Sequence, residues 1–134
     1  APDLEVSWVC QEDLAALMVA AATRPQLAGR RYAIGGPQAL RGADVASALS
    51  RALGREIRFV SQSVEDFCAA IAPQVRHPDP ATRVRLLDDL GRIYRWYNES
   101  PERPFRVDMR TTLAELPVTL TPLEDWARRQ DWRG

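Results

Sequence analysis

The sequence is nearly empty of the residues that build metal centres and disulfide frameworks. Its single histidine, His77, stands in the proline-bounded run His77-Pro78-Asp79-Pro80 with nothing nearby at zinc-ligand spacing, so it reads as a solvent-facing loop residue. Two cysteines, Cys10 and Cys68, define no disulfide framework: one falls beside an expected strand, the other in an expected helix, and both read as structural thiols. An excess of either charge is also missing. Eighteen basic residues balance 18 acidic ones, and nothing in that balance invites a nucleic-acid backbone. No apolar run reaches membrane-spanning length, and the opening Ala-Pro-Asp-Leu-Glu lacks a secretory pattern, which points to a cytoplasmic location and reads as a trimmed boundary. Asn98-Glu99-Ser100 fits a glycosylation sequon, but Pro101 follows it and no export signal is present, so the match reads as chance. Internal repeats and low-complexity stretches are not evident.

Phosphate-binding glycine loops are a further absence. Gly35-Gly36-Pro37 is glycine-rich, yet it has neither G-x-G-x-x-G spacing nor a Lys-Ser/Thr pair, and Pro37 removes an amide donor; it reads as a turn. The run Arg83, Arg85, Arg92 and Arg95 suggests a basic patch until Asp88 and Asp89 are placed at helical spacing among them, which makes it an ion-paired, solvated face.

What is present is a succession of apolar elements. Residues 6–9 are β-branched and aromatic and read as a strand. Residues 12–23 hold no Gly or Pro, and Leu14, Leu17, Met18 and Ala21 recur at helical spacing while alanines make the other faces nearly as apolar; a helix packed on more than one side is expected. Glu12 and Asp13 lie in its first turn, where carboxylates favour the exposed amides, and Asp13 reads as helix-end stabilisation rather than a catalytic acid. Strands are expected over 30–34 and 56–60, a helix over 43–53 stopped by Gly54, and a short helix opened by Ser63-Val64-Glu65-Asp66 and ended by Pro73. A longer amphipathic helix is expected over 82–98, then an extended piece at 105–108, a turn of helix at 112–115, and a terminal helix launched by Thr121-Pro122-Leu123-Glu124. With 46% apolar residues, these elements predict a single compact α/β domain over 1–134 with a small mixed sheet and surrounding helices.

The order of these segments resembles the carboxyl-terminal half of the NmrA-like, atypical short-chain dehydrogenase/reductase family. Asp13-Leu14-Ala15 matches an Asp-x-Ala helix start; Gly29, Tyr32, Gly36 and Pro37 match a strand-and-turn pattern; Leu53, Gly54 and Phe59 match a helix end and following strand. The likeness covers residues 6–72, with a looser echo at Thr121, Leu123, Glu124 and Trp126. It implies a fragment of a larger protein, lacking the Rossmann half that carries the dinucleotide fingerprint and the Tyr-x-x-x-Lys pair. On that resemblance this chain is the substrate- or partner-binding portion, inactive alone and without a cofactor of its own, with Trp8, Cys10, Tyr94 and Tyr97 as candidate pocket residues and no catalytic or metal residues. The resemblance further implies NAD(P)H for the full-length parent and, as partners, the missing Rossmann half, a small-molecule substrate or a regulatory protein. Surface left bare by a missing neighbour also makes a homodimer an expectation. Two alternatives accompany this reading: part of an NAD(P)H-dependent oxidoreductase acting on a quinone-like or other small electrophile, and a non-catalytic redox-sensing regulator.

Overall fold

A computed structural model describes residues 2–132, which divide into two compact units. One unit comprises residues 5–59 and 105–132, the other 2–4 and 60–104.

The first unit begins with β1 (Val6–Ser7), which pairs antiparallel with β2 (Ala39–Leu40), Val6 opposite Leu40 and Ser7 opposite Ala39. This two-residue pair is the whole sheet among the described residues. The expected α/β fold with a mixed sheet is therefore corrected to a mainly helical one carrying a short antiparallel ribbon. The segments 30–34 and 56–60, expected as strands, are not strands, and the extended piece at 105–108 joins no strand ladder. Ser7 shows the reason. Its amide donates to the Phe105 carbonyl at 2.9 Å, its carbonyl accepts from Gly36 N–H at 3.0 Å, and its hydroxyl accepts from Val107 N–H at 3.1 Å. Neighbouring segments thus meet β1 through isolated bonds, one of them to a side chain, and no repeating ladder propagates.

Four helices complete this unit: α1 (Gln11–Ala22), α2 (Gly42–Leu53), and two that follow the second unit in sequence, described below. In α1, Leu17 is 2% exposed whereas Met18 is 65% exposed, with Leu14 and Val19 also open. The helix expected to be buried on several sides buries one stripe. A short 3₁₀ turn (Pro25–Leu27) follows, and Gly29 takes φ +80° to release the chain. At the start of α2 the Arg41 amide donates to the Asp44 carboxylate at 2.9 Å, and Gly54 at φ +63° ends the helix in the left-handed conformation.

The second unit holds α3 (Val64–Ile71) and α4 (Pro80–Glu99). Ser63 caps α3, its hydroxyl accepting from the Asp66 amide at 3.0 Å. Asp79 caps α4, accepting from the Ala81 and Thr82 amides at 3.3 and 2.9 Å, with Pro80 at the first helical position, two residues ahead of the expected start. The hydrogen bond from Thr82, with the two amides, holds the Asp79 carboxyl below its ordinary range. The helices meet at Gly91, which is buried and near Cys68, and at Phe67, whose ring lies 4.5 Å from that of Tyr94.

After it the chain returns to the first unit as α5 (Arg110–Glu115) and α6 (Leu123–Arg129). Leu17, Met109, Leu116 and Leu120 form its core, with Leu27, Tyr32, Ile34, Val107 and Leu113 packed around them. α6 packs along α2, where the buried residues of the facing helices are alanines: Ala46 and Ala48 on one side, Ala127 on the other. Small residues there let the two axes approach closely. Its cap is Pro122 rather than the expected Thr121, because Thr121 is engaged elsewhere.

Candidate functional site

Thr121 is engaged by Asp13. The Thr121 amide donates to one carboxylate oxygen at 2.6 Å and its hydroxyl to the other at 2.9 Å, joining residues 108 positions apart. Asp13 is 6% exposed, and these two donors are what make a buried carboxylate tolerable. The clamp sets the first turn of α1 beside the entrance to α6.

Close to it, Gly36 fixes the path of Trp8. A Cβ at position 36 would stand 1.7 Å from the Trp8 carbonyl oxygen, and one at position 35 would stand 2.8 Å from the Ser7 and Val107 side chains. Glycine is required at position 36 because β1 lies directly on the turn. These two constraints, together with the packing of α2 on α6, leave a cleft of about 580 Å³. It is lined by Trp8, Cys10 and Glu12 around the head of α1, by Val45 and Leu49 of α2, and by Trp126 and Trp132. The two tryptophan rings stand edge to face, centroids 6.0 Å apart at 89°. Trp132 Nε1 donates to the Ala127 carbonyl at 2.7 Å and Gln130 Nε2 to that of Trp126 at 3.3 Å, so both residues after the helix are tied back to it. Such a lining offers flat, polarisable surface to a flat ligand.

Cys10 sits at the head of α1 inside this lining. Burial pushes its thiol above the ordinary value of 9.0, and hydrogen bonds to the carboxylates of Asp13 and Glu12 act in the same direction, against a backbone bond from Asp13 that lowers it. At neutral pH it is a thiol, not a thiolate nucleophile.

Of the four expected pocket residues, the structure brings Trp8 and Cys10 together. Tyr94 and Tyr97 belong to the other unit, where Tyr94 stacks near Phe67 and lies 6.0 Å from Tyr97, itself 5.3 Å from Trp96. That unit has its own cleft, lined by Glu65, Cys68, Arg85, Arg92 and Arg95 among others. Its charges are largely spent on each other, Arg95 on Glu65 at 2.9 Å and Arg92 on Asp89. Trp126 and Trp132 were not legible as site residues: Trp126 reads as part of an apolar helix face, and only the surplus of tryptophan in a short chain hinted at more.

The residues do not fit a dinucleotide cradle. Gly36 lies against the Trp8 backbone and Gly35 against the Ser7 and Val107 side chains, and Arg30, five positions ahead of Gly35, pairs with Glu115 at 2.6 Å. Among the described residues no group of three or more His, Cys, Asp or Glu is placed to hold a metal ion, and no helix is long and apolar enough to cross a membrane.

No family profile matches the chain, and no solved structure matches it. Two curated proteins do. An NAD(P)H azoreductase of Xenophilus azovorans is 48% identical over 61 residues, which is 46% of this chain and 21% of that protein. A (4-alkanoyl-5-oxo-2,5-dihydrofuran-3-yl)methyl phosphate reductase of Streptomyces griseus is 37% identical over 84 residues, 63% of this chain and 29% of that protein. The chain thus spans less than a third of the length of either relative. The similarity points to reductase-type enzymes. The NmrA-like assignment, and with it the role of substrate- or partner-binding portion of a Rossmann-type protein, is corrected on the fold: two antiparallel two-residue strands among helices are not that architecture.

Proposed function

We propose that this chain is part of an NAD(P)H-dependent oxidoreductase acting on a small, flat electrophile. The observation that carries the reading is the cleft lined by Trp8, Trp126 and Trp132 together with the apolar side chains of Val45 and Leu49. The names of the two relatives, both reductases and one with NAD(P)H in its name, supply the reaction class. NAD(P)H, bound outside the residues described here, supplies the hydride. This chain's part is to hold the acceptor against the indole surfaces and to exclude water from one of its faces, which lowers the entropic cost of bringing the reactants together. The protonated Cys10 thiol is a weak hydrogen-bond donor within that lining.

The test is steady-state oxidation of NADPH by the protein that carries this chain at the length of its relatives, with a quinone and an azo compound as acceptors. Acceptor-dependent turnover, with KM for the acceptor raised at least tenfold by Trp126→Ala, is expected. Cofactor-dependent association with another protein and no turnover favours a redox sensor and overturns the reading.

A further inference from the structure

The charge inside the cleft is one-sided. Of the twelve described residues that line it, Glu12 alone carries a formal charge, and no arginine is among them. The neighbouring Asp13 carboxylate is closed off by its two bonds to Thr121. Two cations of α2 and α6 are held by carboxylates outside the lining: Arg128 pairs with Glu124 and with Asp125 at 3.4 Å, and Arg51 pairs with Glu124 at 2.7 Å. A ligand entering the cleft therefore meets indole rings, whose faces are negative, and one carboxylate.

From this geometry we infer that the cleft selects flat conjugated molecules bearing a delocalised positive charge and rejects their anionic counterparts. The inference rests on the reading that this cleft is where the acceptor lies, and it narrows the acceptor to a cationic class such as an iminium- or pyridinium-type ring system. Indole faces attract a cation that has shed part of its water, and the Glu12 carboxylate at the first turn of α1 adds a direct Coulomb term. A sulfonate or phosphate finds no cationic side chain among the described residues of the lining. The phosphate in the name of the Streptomyces griseus relative is thus a feature this cleft does not provide for.

Calorimetric titration of the 134-residue chain with three probes of similar shape tests this: 1-methylquinolinium, quinoline and naphthalene-1-sulfonate. Saturable one-to-one binding of the quinolinium is expected, about tenfold tighter than quinoline and with no saturation by the sulfonate. Glu12→Gln, at an exposed position, should weaken the quinolinium several-fold and leave quinoline unchanged, with the far-UV circular dichroism of the chain retained. Trp132→Ala should weaken both. Equal binding of the sulfonate, or tighter binding of quinoline than of the cation, overturns the inference. The titration needs no reductant, so its failure leaves the reductase assay standing. Failure of turnover with an intact cation preference sinks the reductase reading alone.

Discussion

At the scale of single residues, the demands on Asp13 and Gly36 are of different kinds and fail differently. Removing the Asp13 carboxylate leaves the Thr121 amide and hydroxyl without the acceptor that ties the head of α1 to α6. Hydrogen bonds to a buried charge are worth about 1.5–3 kcal/mol, so Asp13→Ala should lower the unfolding free energy by roughly that amount in urea titration, while Glu12→Ala one position earlier stays within about 0.5 kcal/mol. Gly36→Ala acts by overpacking. Its new methyl has no room beside the Trp8 carbonyl, and a loss of about 3 kcal/mol is expected, with a disturbed tryptophan environment in near-UV circular dichroism. Gly29→Ala, where φ is +80° but the space is open, should cost only about 1 kcal/mol.

At the scale of elements, α5 is fastened to the segment after the 3₁₀ turn by one carboxylate. Glu115 accepts from the Tyr32 hydroxyl at 2.5 Å and from Arg30 at 2.6 Å. The Tyr32 bond, followed by the charge of Arg30, holds the Glu115 carboxyl below its ordinary 4.5, and the same bond holds the Tyr32 phenol above 10.0. The depressed carboxyl stabilises the fold above 4.5 and ceases to as the pH falls below that value. The raised phenol stabilises it below 10.0 and ceases to as the pH rises past that value. Tyr32→Phe should therefore flatten the stability profile at both ends. Asp108, brought down to about 2 by Arg110, contributes a separate acid limb between 3.8 and about 2 that Asp108→Asn removes. Urea midpoints across pH resolve the two. Elements were also where the sequence was most and least readable. Ser63 and Gly54 marked helix ends because capping is decided within four residues of chain. The strands expected over 30–34 and 56–60 failed because β-branched residues say only that a segment is extended; whether a ladder forms depends on a partner far along the chain. The lining of the cleft was legible only in part: Trp8 and Cys10 lie in one short stretch, whereas Trp126 and Trp132 come to them only through tertiary packing.

At the scale of the molecule, the chain should bind neither NADH nor NADPH by itself with low-micromolar affinity, since Gly36 is closed by the Trp8 backbone, Gly35 by the Ser7 and Val107 side chains, and Arg30 is paired. A saturable one-to-one calorimetric isotherm in that range would overturn this. Bare apolar surface is the other large-scale feature: Met18 and Val19 on α1, and Val84, Ile93 and Trp96 on α4, stand open to solvent. Met18→Ser should accordingly leave the stability of the 134-residue chain within about 0.5 kcal/mol. The bond between Asp13 and Thr121 also puts a clock on biosynthesis. Residue 13 leaves the ribosome 108 residues before its partner, an interval of roughly 5–20 s at ordinary elongation rates. For almost all of that interval α1 has neither the donors for its carboxylate nor Leu116 and Leu120 to cover Leu17. A nascent chain stalled short of position 121 should be a client for holding chaperones, and a force-sensing arrest peptide should register folding of this unit only once α6 has cleared the exit tunnel.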